Sequence, residues 1–335
     1  MMPLQTIISA ICLLLATATF AQDELLSQYF NSPLLVNPAL AGSSKNDYRI
    51  ITQYRNQWNA ISDAFRTMGV SYDMALRRNP RKSNYLGAGL YVLNDLAGKS
   101  KLSHLNAGAA IAWHFRLSGY SSLSAGINIA YRSRSIHPEG LAWDAQYNGS
   151  SYDPSLPTGE NFTAENIWAP DIAYGLLWQK EKSSKIRLAA GISSRHFFQR
   201  QSFIEPRRDV LYPLHTAHAS VKHRAETVEM EYVLRFQMQS MAMSTEIGAI
   251  GRYRLGMDSR FTNSHTSSGV LAGAMYRYAD AIVIILGYEF KRAVEVNLSY
   301  DVTISKLARA NNHSGGPEIS ISYTGSFSQN RIKLK

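Results

Sequence analysis

His215 and His218 are the first residues whose types suggest chemistry, because imidazole pairs ligate metals and move protons. They sit three apart in a segment patterned as a strand, which puts them on opposite faces. Opposite faces do not supply two ligands to one ion, so the pair reads as strand-end or loop histidines. Nothing in the spacing brings His218 to Glu226. Gly87-Ala88-Gly89 lacks the third glycine and the following helix of a dinucleotide fingerprint, and reads as a place where a strand bends. Asp144, Asp153, Glu160 and Glu165 share a proline-containing loop, but their spacing matches no compact calcium loop. Ser, His and Asp are too widely spread for a triad to stand out. The single cysteine, Cys12, lies in an N-terminal apolar run, leaving no thiol nucleophile, disulfide or cysteine metal site beyond it. The expectation is no catalytic, cofactor-binding or metal-ligating residue, no cofactor, and a protein that is not an enzyme; a membrane hydrolase is the weaker alternative.

What the chain does have is alternation. In Val294–Ile304, Val294, Val296, Leu298, Tyr300, Val302 and Ile304 share one parity, while Glu295, Asn297, Ser299, Asp301 and Thr303 share the other. Side chains alternate across a strand, so this stretch has one apolar and one polar face. The pattern recurs in Leu105–Phe115 and Leu123–Tyr131, whose second parity carries small residues such as Gly108, Ala110, Ala112 and Gly126. Aromatics near strand ends, including Trp113, Phe115 and Tyr131, fit an interfacial girdle. Counted along the chain, the strands number about fourteen, an even number as single-chain bacterial barrels require. An antiparallel transmembrane β-barrel over 48–327 is the expected fold, and a soluble two-sheet sandwich is the alternative. Hydrocarbon leaves no partner for an open sheet edge, so such a sheet must close.

Residues 136–165, 198–213 and 305–317 form long loops on one side of that barrel. Short turns near 79–84, 118–121, 180–185, 223–227 and 291–293 fall on the other. Gly256–Ser268 breaks the asymmetry, and signals either a strand miscount or a contact site on the short-turn side. Asp73, Arg132, Glu295 and Asp301 occupy the inward parity. They either line a pore or pair across the lumen and fill it, and pairing is the favoured outcome.

The remaining segments are punctuation. Ile7–Phe20 is an apolar run ending in small residues before Ala21, read as a secretory signal over 1–21. Residues 22–47 form an extended periplasmic lead broken by Pro33 and Pro38, and 328–335 form a basic tail. With 45% hydrophobic residues and a mean hydropathy of −0.20, apolar side chains are diluted evenly by polar ones, against a helical membrane protein. The net charge of +10 would suit nucleic acid, but export excludes that partner and assigns the charge to loops facing anionic headgroups.

Several segments together resemble one family. They are the lead SQYFNSPLLVNPALAG (27–42), YRIITQYRNQW (48–58), FRTMGVSYD (65–73), YLGAGLYVLNDLAG (85–98), SYDPSLPTGE (151–160), and SYDVTISKL with GGPEISISY at the end of the chain. The chain resembles the PorP/SprF outer-membrane barrels of the type IX secretion and gliding machinery of Bacteroidetes. The resemblance implies a non-enzymatic barrel in the cell outer membrane that helps export or surface anchoring of cargo such as adhesins. Implied partners are outer-membrane lipid, type IX cargo, and a periplasmic secretion-machinery or peptidoglycan-binding component. The alternative is an outer-membrane channel or transporter for a small solute. One departure is that the chain runs past Phe327 instead of ending on an aromatic, which makes the internal ISISYTGSF the expected assembly signal.

Overall fold

The computed structural model describes residues 26–57, 65–76, 84–98, 100–118, 120–137, 141–159, 165–183, 185–197, 211–256, 268–305, 308 and 314–327. The segments expected to be a signal (1–21) and a basic tail (328–335) lie outside these residues.

Alternating patterns become fourteen antiparallel strands: β1 (Tyr48–Gln57), β2 (Phe65–Leu76), β3 (Tyr85–Ala97), β4 (Leu102–Ser118), β5 (Ser121–Ser135), β6 (Asn166–Ser183), β7 (Ile186–Arg195), β8 (Leu214–Arg224), β9 (Val228–Gln239), β10 (Ala242–Leu255), β11 (Ser268–Arg277), β12 (Ala281–Phe290), β13 (Val294–Thr303) and β14 (Ser314–Gly325). Each pairs with its neighbours in sequence, and β1 pairs with β14 from Tyr48↔Gly325 to Arg55↔Glu318, closing the barrel. Closure satisfies every strand edge, as a sheet in lipid must be.

Parity decides which face meets which solvent. On β13, Leu298 and Tyr300 are exposed outward, while Asn297, Ser299 and Asp301 are buried inside. Apolar side chains such as Leu90, Ile129 and Leu286 cover the outside, a surface tolerable only against hydrocarbon. Aromatic pairs mark both rims of this belt. Trp113 and Phe115 lie 6.1 Å apart toward one rim, and Tyr131 stacks on Trp168 at 6.0 Å toward the other.

The connections segregate as expected. The β5–β6, β7–β8 and β13–β14 links all lie at one end, hereafter the long-loop end; the β4–β5, β6–β7, β8–β9 and β12–β13 turns lie at the other. No strand was miscounted: β10 and β11 are sequential neighbours, so their long link belongs to the short-turn end, and residues 257–267 lie outside the described residues. Strands β4 to β6 run 15 to 18 residues, well beyond the about 9–11 that span a bilayer. The final strand begins at Ser314, four residues before the expected Glu318, and ends at Gly325, where Phe327 lies 5.2 Å from the Tyr48 ring.

The lead departs from expectation. Residues 26–42 are neither extended nor outside the barrel: they fold into the lumen as a 3-10 turn (Tyr29–Asn31), one α-helical turn (Pro33–Val36) and a second 3-10 turn (Pro38–Leu40). The two prolines that seemed to forbid regular structure each start one of these turns, where a missing N–H costs nothing. The asparagine before the second caps it, its Oδ1 accepting from the Ala39 N–H at 2.9 Å. This plug also explains why the inward face is not uniformly polar. Tyr29 and Val36 pack on Val233, Leu271, Met275, Val283 and Ile285, and Leu34 and Ala41 pack on Ala110, Ala112 and Ala130.

Candidate functional site

The plug meets the wall in two polar clusters. At the long-loop end, Glu318 accepts from the Ser27 N–H at 2.8 Å and the Gln28 N–H at 3.1 Å. The Ser27 hydroxyl donates to Asp301 at 2.7 Å, Gln28 Nε2 to Ser299 at 3.0 Å, and Asn31 Nδ2 to Ser320 at 2.8 Å. Ser32 also bonds Gln53. Behind these contacts runs a chain of ions: Arg55 to Asp301 at 2.6 Å, Arg277 to Asp301 at 3.4 Å and Glu246 at 2.6 Å, and Arg235 to Glu246 at 2.6 Å. Arg235 also lies over the Tyr29 ring, 4.1 Å from its centre, so the cation network grips an aromatic residue of the plug.

Toward the short-turn end, backbone and histidine contacts take over. Asn37 Nδ2 donates to the Leu176 carbonyl at 3.0 Å and the Ile192 carbonyl at 3.2 Å, and lies 3.1 Å from His218 Nε2. Its amide orientation is set by Oδ1 serving Ala39, so the two Nδ2 hydrogens are shared among the two carbonyls and His218 Nε2, which can only accept. His114 donates through Nε2 to the Ala41 carbonyl at 2.8 Å and accepts through Nδ1 from Ser124 at 2.7 Å. The Gly42 N–H reaches Asp73 at 2.9 Å, and Asp73 also pairs with Arg49 at 2.8 Å.

Glycines in the wall make this fit possible. A Cβ on Gly87 would strike the Ala41 carbonyl, one on Gly126 the Pro38–Ala39 backbone, and one on Gly175 the Asn37 side chain. In Gly87-Ala88-Gly89 the glycines have a role that the spacing did not suggest. Both glycines let the plug approach the sheet, Gly89 making way for Leu34.

The histidines singled out by spacing separate as parity predicts: His215 faces outward and bonds Ser194 at 2.8 Å, whereas His218 meets the plug. Both belong to β8: His215 is its second residue, at the strand end as expected, and His218 lies further along the strand and not in a loop. Glu226 lies in the turn beyond β8. Among the loop acids, Asp153 accepts from the Ser155 N–H and hydroxyl, which holds its carboxyl below the usual range. Among the described residues no three His, Cys, Asp or Glu side chains cluster to hold a metal.

The four inward charges pair. Asp73 meets Arg49, Asp301 meets Arg55 and Arg277, Glu295 meets Arg252 at 2.6 Å, and Arg132 donates to His196, itself paired with Asp171 at 2.7 Å. Sequence reasoning missed Ser27, Gln28, Asn37 and Glu318 as a set. The available signal was a lead of amide, hydroxyl and aromatic residues where a solvated linker would carry charge. Between the plug and β7–β10 at the short-turn end, a cavity of about 370 Å³ remains.

A closed fourteen-stranded sheet with an apolar exterior and a lumen filled by the chain's own N-terminal segment defines a plugged membrane β-barrel. The chain belongs to the PorP/SprF family, the type IX secretion system membrane proteins, whose family model matches residues 18–323. No curated protein matches it. Among solved structures it is similar to the toluene transporter TbuX of Ralstonia pickettii, at 10% identity and a TM-score of 0.52, over 89% of this chain and 94% of that one. The deltaS2 mutant of the TodX monoaromatic hydrocarbon channel gives 9% identity and a TM-score of 0.51 over the same shares. At such identities the likeness is one of fold.

Proposed function

We propose that this protein is a non-enzymatic accessory barrel of the outer membrane that helps export type IX cargo such as adhesins or anchors it at the cell surface. Family membership supports the secretion role, and the filled lumen carries the choice of holding a partner over conducting a solute. A conduit needs a continuous water path, but here residues 26–42 are bonded to opposite walls, and the inward carboxylates Asp301 and Glu295 are paired with arginines. That leaves the long-loop end as the surface for cargo, and the short turns with the β10–β11 link as the surface for periplasmic machinery or a peptidoglycan-binding component. Lipid is the partner of the apolar belt.

Deleting the gene and quantifying surface and secreted proteins tests this. The expected result is loss of one or a few large cargo proteins from the surface, restored by the wild-type gene. Unchanged display would overturn the reading. The competing reading, an outer-membrane channel for a small solute, draws on the remaining cavity, and solute-blocked conductance of the intact protein would favour it.

A further inference from the structure

The cavity at the short-turn end combines two kinds of wall. One side is apolar and belongs to the plug, through Phe30, Pro33, Val36 and Leu40. The rest is rich in cations: seven lysines and arginines line it against three glutamates. Those glutamates are already engaged. Glu229 takes Arg224 at 2.7 Å, Arg252 at 3.0 Å and Arg254 at 3.1 Å, with Lys222 at 3.6 Å. Glu231 takes Lys222 at 2.9 Å, and Glu289 lies 3.6 Å from Arg252.

Lys45 is left over. It lines the cavity where the plug leaves the lumen, partly open to solvent, and among the described residues it has no carboxylate within ion-pair distance. Partial burial, with Arg187 and Arg224 as neighbouring like charges, pushes its ammonium below the usual lysine range, and Glu181 and Glu229, already paired with those arginines at 3.3 and 2.7 Å, offset this only in part. An anion placed there would relieve that repulsion.

We propose that this cavity binds a small amphiphilic anion, a phosphate monoester or carboxylate head set against Lys45, Arg187 and Arg224 with a short alkyl body on the plug's apolar face. Its volume of about 370 Å³ suits a small molecule, since such sites run roughly 300–1,000 Å³. The same head chemistry is carried by a free alkyl anion and by an anionic lipid reaching in from the short-turn end.

The test uses the full-length protein in a non-ionic detergent, with octyl phosphate as probe and octanol and inorganic phosphate as controls. Calorimetry is expected to show octyl phosphate binding, no response to octanol, and weaker binding of inorganic phosphate. Lys45→Glu should weaken octyl phosphate by about tenfold or more, the scale of a lost charge-assisted contact, and Lys45→Arg should retain it. Folding of each variant is read from its heat-modifiable gel mobility. Native mass spectrometry separates the sources: phosphatidylglycerol retained from the membrane and displaced by octyl phosphate marks a lipid, and its absence a free anion, both consistent with the site. Equal responses to octyl phosphate and octanol, or unchanged affinity in folded Lys45→Glu, would overturn the proposal.

Discussion

Glu318 shows how much one side chain carries here. It is almost fully buried on β14, yet its two oxygens serve two plug N–H groups, with Arg55 at 3.8 Å. Glu318→Gln keeps the shape but turns one acceptor into a donor facing an N–H, and leaves the buried Arg55 with Asp301 alone. A buried N–H left facing a donor in Glu318→Gln costs about 1–3 kcal/mol, and Ser27→Ala loses two hydroxyl bonds to charged groups, one to Asp301 at 2.7 Å and one from Arg277 at 3.1 Å, each on the order of 1.5–3 kcal/mol. The expected result is a clear drop in the unfolding temperature in detergent for both Glu318→Gln and Ser27→Ala. Equal, near-zero shifts in both would show that the plug does not depend on this anchor.

At the scale of elements, the plug is a short segment that could not fold alone. Three single turns lie far below the length at which helices are stable in water, so the barrel wall supplies their stability. The wall is in turn shaped for them, through glycines at close approach and through alanines on β4 and β5 beneath Leu34 and Ala41. Removing residues 26–42 is expected to keep the fourteen strands and the ion pairs between neighbouring strands but to open the space the plug fills. Planar-bilayer recordings should show little conductance for the intact protein and stable open channels for the deletion. A silent deletion variant would mean that the plug is not what closes the lumen.

For the whole molecule, topology sets which parts share a side. Ser27 contacts Asp301, Arg277 and Glu318, all at the long-loop end of their strands, whereas Gly42 leaves the lumen beside Asp73 at the short-turn end. The plug therefore runs the length of the lumen, and Leu26 lies at the same end as the loop containing residues 141–159. In intact cells, an epitope placed just before Leu26 should be labelled by the same impermeant reagent as one in that loop, and one in the 225–227 turn should not. Labelling of the Leu26 and turn epitopes together, without the loop, would contradict this threading.

The strands were legible because the two-residue period of a sheet writes its two solvents directly into the sequence: Leu298 and Tyr300 against Ser299 and Asp301 show lipid on one side and a polar interior on the other. Chain order then fixed which strands pair, since sequential antiparallel neighbours need only short turns. The destination of the lead was not legible, because Ser27, Gln28 and Asn37 read as linker residues until Glu318, Asp301 and the Leu176 carbonyl stand opposite them. Those partners lie 139 to 291 residues away, a separation that no local pattern spans. Which cation meets which carboxylate, and which glycine yields room to the plug, followed only from closing the sheet, because closure is what sets inward side chains from distant strands against one another.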